Sequence, residues 1–150
     1  MDAGDQARLR TEDNSILALG AAALINSKRK TDHGEPQHQP RRACIISSLK
    51  HPAEVERLRA IYPEGFYLIG VHADEERRRK YLGEDKRISE EDKISDLIRR
   101  DEHGRVEHGQ RVADAFHLSD FFVRIDDDHH RLKQSLWRIL ALLFGHPYVT

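Results

Sequence analysis

Apolar residues along this chain come in short blocks whose spacing switches between helical and strand-like, with polar stretches between them. Residues 1–13 carry no apolar stripe and predict a frayed N-terminus. From Ser15 to Ile25 the spacing is helical: Ile16, Leu19 and Ala23 line one face, Leu17, Leu24 and Ile25 widen it, and Asp13 or Asn14 can cap the start. Residues 28–42 have no apolar side chain apart from two prolines and include Gly34, which predicts an exposed, mobile loop. Ala43–Ile46, with two isoleucines and Cys44, predicts a short buried strand. Pro52 opens the next helix, with Glu54 and Glu56 in its first turn and Val55, Leu58 and Tyr62 on its inner face; Pro63 and Gly65 end it. Phe66–Val71 is continuous rather than alternating, the pattern of a strand covered on both faces.

The second half repeats the alternation. Asp74–Leu82 predicts a charged helix closed by Gly83, with Arg77, Arg78, Arg79 and Lys80 in a row. Ser89 and Asp92 have capping-box spacing and open a helix through Arg100, with Ile94, Leu97 and Ile98 inward. A short helix over Gln110–Phe116, a third strand over Phe121–Ile125 and an amphipathic helix from His129 to Phe144 complete the chain. In the last helix Leu132, Leu136, Ile139, Leu140 and Leu143 form one stripe. Strands alternating with helices predict an α/β fold: three layers, with a short, mostly parallel sheet flanked by helices.

Composition narrows the function classes. At 150 residues the chain suits one domain, here expected over 14–150. Its 25 Lys+Arg against 26 Asp+Glu give a net charge of −1, without the basic excess of a nucleic-acid or anionic-membrane binder. No apolar run approaches the roughly 18 residues of a membrane span, and the N-terminus lacks a signal peptide's apolar stretch, so a soluble, cytoplasmic protein is expected. The single cysteine, Cys44, leaves no internal disulfide and no multi-cysteine zinc site within one chain.

Motifs for chemistry are mostly absent. The ten histidines form no H-E-x-x-H; His33/His38 and His103/His108 are out of register for one helix face, and His129 and His130 point different ways. No metal ligands or catalytic residues are assigned. A mid-strand Cys44 would be a buried, inert thiol, and there is no G-x-S-x-G, G-x-x-x-x-G-K-[ST] or G-x-G-x-x-G. Arg77–Arg79, just after the best strand, read either as a phosphate-contacting lid or as a solvated face paired to Glu75 and Glu76. Lys50, Asp74 and Asp126–Asp128 follow predicted strands, where open parallel sheets bind ligands. Turn formation is the plainer explanation for the aspartates.

Four stretches read together carry a resemblance. They are IISSLKHPAEVERLRAIYPEGFYLIGVHADEERRRKYL (45–82), LIRRDE (97–102), HGQRVADAFHLSDFFV (108–123) and LALLFGHPYVT (140–150). Their most specific parts are Ser48–Pro52 with Glu54, and His108–Val112 with Asp114, Phe116 and Asp120. The chain resembles, from about Arg8 to Thr150, the N-terminal P-loop-kinase-like region of the anti-phage dCTP/dCMP deaminase family. There, a nucleotide-kinase-like domain precedes a zinc-dependent cytidine deaminase domain. The resemblance matches Arg77, Arg78 and Arg79 to a helix that acts as a lid in kinase-like relatives and Arg99, Arg100 and Asp101 to a charged motif. With Lys50 at its strand end, Arg77, Arg78, Arg79, Arg99 and Arg100 are the candidate nucleotide or phosphate contacts. The resemblance leaves Asp101, His108, Gly109, Gln110, Asp114 and Asp120 as motif residues without a role.

The chain departs from that pattern at both ends. It has no strand and glycine-rich loop before its first helix, and no H-x-E or P-C-x-x-C to hold zinc, so deamination is carried onto no residue here. The expectation is a truncated kinase-like domain, short of its first strand and phosphate loop, that self-associates, takes a strand from a partner, or is a fragment. The function implied is a non-catalytic module for nucleotide sensing, regulation or assembly, with no cofactor of its own and zinc belonging to the deaminase domain. Its partners would be a nucleotide of the dCTP, ATP or GTP class and a second copy or a deaminase domain, with no nucleic acid or membrane. Two alternatives stand beside it. One is a small nucleotide or metabolite kinase; the other is an interaction scaffold presenting Trp137, Leu142 and Phe144.

Overall fold

A computed structural model describes residues 2–29, 42–86, 88, 90–103 and 109–145. Among them the chain is α/β: seven α-helices and one π-helical turn accompany a parallel sheet of two strands, flanked by helices. They pack as two compact units, one from residues 1–66 and 101–115 and the other from 67–100 and 116–150, where one domain was expected over 14–150.

In the first unit, α1 (Asp2–Thr11) and α2 (Ile16–Arg29) are followed by α3 (Pro52–Ile61). The helical α1 corrects the expected fraying of residues 1–13. Its own pattern is poor, but Arg8 is buried and donates to Glu54 of α3 at 2.7 Å, an anchor that lies 46 residues away. Asp13 stops fraying at the next start: its carboxylate accepts from the Ser15 N–H and hydroxyl, both at 2.7 Å. The hydroxyl bond first, then the backbone bond, holds Asp13 below the usual carboxylate range. In α2 the fully buried residue is Ala18, while Leu17 and Leu24 of the predicted stripe face outward. Small side chains let α2 approach α3, whose Val55 and Leu58 are completely buried.

The expected buried strand at Ala43–Ile46 is not there. Residues 42–50 have no regular structure, Ile45 is 94% exposed and Cys44 is an exposed free thiol, not a buried inert one. β-Propensity makes a strand only where a neighbour can take up its N–H and C=O groups. No described strand pairs with this segment. The loop expected at 28–42 lies outside the described residues over 30–41.

In the second unit, β1 (Ile69–Ala73) pairs in parallel with β2 (Phe121–Ile125), Ile69 opposite Phe121 and Ala73 opposite Ile125. β2 matches its predicted bounds, whereas β1 starts three residues later than Phe66. Asp120 determines that start: it accepts from the Leu68 N–H at 2.7 Å, and its own N–H donates to the Leu68 carbonyl at 2.9 Å. Nor is β1 covered on both faces, since Val71 is exposed. On the face holding Gly70 and Phe122, Phe116 lies against the sheet, its ring 5.0 Å from that of Phe122. A Cβ at Gly70 would stand 2.6 Å from Ser119 Oγ and 2.9 Å from the Phe116 ring, so only glycine admits this contact.

The crossover between the strands runs through α4 (Glu75–Lys80), the π turn Tyr81–Asp85, α5 (Glu91–His103) and α6 (Val112–His117). The Ser89 of the expected capping box lies outside the described residues. Ile94 and Ile98 of α5 are buried as predicted, and α7 (His129–Leu143) packs on β2 through Ile139. The Asp128 carboxylate caps α7, accepting from the N–H groups of His130 and Arg131. The predicted α7 stripe is only partly covered: Leu136 and Leu140 remain exposed.

Candidate functional site

Two polar constellations stand out, one in each unit. In the first unit, the Ser48–Pro52 turn meets the Gly109–Arg111 segment, so two of the most distinctive sequence motifs touch. Ser48 adopts a left-handed φ of 65°, which turns the chain into α3. The Lys50 carbonyl accepts from the Arg111 N–H at 2.7 Å, and Lys50 Nζ donates to Gln110 Oε1 at 3.2 Å. His51 is the N-cap of α3: its Nδ1 accepts from the Ala53 N–H at 3.2 Å. Glu54 closes the capping box, its Oε2 accepting from the N–H of Lys50 at 2.8 Å and of His51 at 3.3 Å. Its other oxygen, Oε1, holds Arg8.

Every oxygen of Glu54 is thus used inside the fold. His51, Glu54, Gln110 and Arg8 are all buried. With Nδ1 accepting, neutral His51 carries its proton on Nε2, which has no hydrogen-bond partner among the described residues. Burial above all, and then the Arg8 charge, push the His51 pKa down. A buried imidazole that stays neutral and a carboxylate fully engaged by the fold form a structural clasp.

The second constellation is an open cleft of about 540 Å³ at the carboxyl ends of β1 and β2. Such edges of parallel sheets are where ligands bind. Asp74, Glu76, Glu84, Asp126 and Asp127 line it together with Arg77, Lys80 and Arg124, and Tyr81 and Ile125 add an aromatic and an apolar wall. Arg77 is paired to Asp127, and Arg124 NH2 lies 2.6 Å from Asp74 Oδ2. His72 Nε2 stands 3.6 Å from the other Asp74 oxygen. Lys80 is in no ion pair among the described residues.

The predicted contacts are therefore divided. Arg77 lines the cleft. Arg79 instead donates to Ser95 Oγ at 2.9 Å and pairs with Glu75 and Glu91, two carboxylates that raise its pKa, Glu75 contributing most. Arg78 lies on α4 and does not line the cleft. Arg99 is on the exposed side of α5 beside Asp96 at 3.3 Å. Lys50 belongs to the first unit, turned to Gln110. Arg100 and Asp101 fall on α5, but their side chains, like the whole of His108, lie outside what is described.

Of the six motif residues without a role, three acquire structural ones. Gln110 receives Lys50, Asp114 holds Arg111 Nε at 2.6 Å, and Asp120 starts β1; Gly109 is buried beside Gln110. Lys80, Tyr81 and Arg124 were missed. Arg124 was findable: as the last charged residue of a strand ending at a carboxyl edge, it carries the same positional signal as Asp126.

No protein-family model matches this chain, and no curated protein or solved structure matches it. Among the described residues no group of three or more His, Cys, Asp or Glu side chains could hold a metal ion. No described helix is long and apolar enough to cross a membrane.

Proposed function

We propose that this chain is a non-catalytic, nucleotide-kinase-like module of a dCTP/dCMP-deaminase-type anti-phage defence protein, which binds a nucleotide through its phosphates in the cleft of the second unit. One observation carries the reading: parallel strands β1 and β2 end at a cleft holding Arg77, Lys80 and Arg124 beside an aromatic wall, Tyr81. Guanidinium forks match phosphate oxygens, and a tyrosine ring offers a face on which a base can stack. The family resemblance of residues 45–82 and 108–123 supplies the nucleotide class. The lack of a G-x-x-x-x-G-K-[ST] loop among the 150 residues argues for sensing or regulation rather than phosphoryl transfer.

Thermal denaturation of the full chain with dCTP, ATP or GTP tests this. A ligand that binds only the folded form raises the midpoint with concentration. No shift with any of the three rejects nucleotide binding, and transfer or release of phosphate by the purified chain rejects the non-catalytic part.

A second reading, an interaction scaffold, is favoured by α7. Trp137 is 68% and Phe144 76% exposed, and with Leu136 and Leu140 they make one uncovered stripe at helical spacing. From His129 to Gly145 there is no acidic residue, while Arg131, Lys133 and Arg138 are basic, so the fitting partner is an acidic protein domain. Under this reading Trp137→Ser abolishes partner capture while leaving any nucleotide shift intact.

A further inference from the structure

Resting on the reading of the cleft as a phosphate site, we infer that Asp127 and Asp74 hold its arginines in the place of ligand phosphates. The cleft thereby selects a polyphosphate, such as a nucleoside triphosphate, over a nucleoside or a single phosphate. The pairs cross between the two strand ends. Arg77, which follows β1, takes Asp127 from beyond β2, and Arg124, near the end of β2, takes Asp74 from just beyond β1. Both guanidiniums are thus pre-positioned at the carboxyl edge, yet neither has a free charge to offer.

The two pairs differ. Asp127 is fully exposed while Arg77 keeps only 32% of its side-chain surface, whereas Arg124 and Asp74 are both more than half exposed. An aspartate released to water is well solvated, and exposed ion pairs are weak. In the Arg77–Asp127 pair the arginine is the member held by the fold, so an incoming anion displaces the carboxylate and finds the guanidinium in place; in the Arg124–Asp74 pair both members are open to exchange.

Displacement also sets the ligand class. The cleft lining carries five carboxylates and three cations, so at a distance it repels anions. One phosphate exchanging for one aspartate gains little. A chain of phosphates that reaches Arg77, Arg124 and Lys80 together makes its second and third contacts intramolecularly, which multiplies affinity.

Titration calorimetry of the full chain with inorganic tripolyphosphate, dCTP, deoxycytidine and inorganic phosphate tests the proposal. The variants are Asp127→Asn, Asp126→Asn, Arg77→Ala and the double variant Arg77→Ala/Asp127→Asn. Because Asp127 is fully exposed, its substitution leaves the fold intact. Asp127→Asn is expected to tighten tripolyphosphate and dCTP by roughly two- to fivefold, the scale of one exposed ion pair. Asp126→Asn, which removes the same charge from the same cleft, should do less, and the gain should vanish in the Arg77→Ala background.

An equal gain from Asp126→Asn, or one that survives Arg77→Ala, overturns the proposal in favour of general charge relief. Inorganic phosphate or deoxycytidine binding as tightly as tripolyphosphate or dCTP overturns the selectivity. If the wild-type chain binds dCTP and Asp127→Asn changes nothing, the displacement idea alone falls. If neither protein binds any probe, the phosphate-site reading falls with it.

Discussion

The Arg8–Glu54 pair of the first unit and the Arg124–Asp74 pair of the second have nearly the same geometry, at 2.7 Å and 2.6 Å. Their surroundings differ. Arg8 and Glu54 keep 2% and 1% of their side-chain surface; Glu54 also receives two backbone N–H groups and Arg8 also holds Asp5 at 3.0 Å, so breaking the pair leaves buried polar groups short of a partner. Arg124 and Asp74 are more than half exposed, and either can exchange its partner for water or a ligand. The same bond is a clasp in one unit and a latch in the other. Distance does not separate them; desolvation does.

The sharpest way to break this comparison is Glu54→Ala. It leaves the buried Arg8 with Asp5, at 3.0 Å, as its remaining carboxylate and removes the capping box of α3, with an expected loss of about 3 kcal/mol by urea denaturation, the lower end for a broken buried pair. A loss below about 1 kcal/mol, the ceiling for an exposed pair, would erase the distinction.

Gly70→Ala asks whether the second unit has a tightly packed place of its own. The added methyl meets Ser119 Oγ and the Phe116 ring at under 3 Å, and over-packing of this kind costs about 1–3 kcal/mol. Near-UV circular dichroism should report displacement of Phe116, and an unchanged melting curve would contradict the contact.

A smaller effect tests the clasp by pH. The His51 pKa is lowered in the fold, so the folded chain binds fewer protons there than the unfolded one. Its neutral form contributes stability that is fully present above the ordinary value of 6.5 and is lost as pH falls below it toward the lowered one. Glu54, Arg8, Arg111 and Asp114 are the charged groups that act on it. His51→Asn keeps a capping side chain and should flatten stability between pH 7 and pH 5 relative to wild type. An equally steep profile in the variant would place the proton uptake elsewhere.

Arg124→Ala should do least to the fold. Losing an exposed pair shifts stability by under about 1 kcal/mol, while any nucleotide-induced rise in the melting temperature should shrink. A large loss of stability would make the cleft pairs structural after all.

Local pattern made some of this legible. Pro52 with an acidic first turn marks α3, and the Phe121–Ile125 run marks β2, because capping chemistry and β-branched or aromatic runs act within a few residues. The carboxyl-edge rule alone places Asp74 and Asp126 at the cleft that they line. It failed for Lys50, because the rule presumes a strand at Ala43–Ile46, and there the isoleucines are exposed and unstructured or only half-buried. The arginine run reads either as a lid or as a solvated face, and it divides: consecutive helical residues point about 100° apart, which sends Arg77 to Asp127 at the cleft and Arg79 to Glu75 and Glu91.

By itself, then, the sequence determined the start of α3, the bounds of β2 and the inward residues Ile94 and Ile98 of α5. Only the tertiary structure decided which charges are buried in holding the fold and which stay in water at the cleft. Arg8 and Arg124 are alike in the chain, and each finds its carboxylate 46 to 50 residues away. What separates them is the water each retains, and that depends on packing from parts of the chain that no local pattern connects.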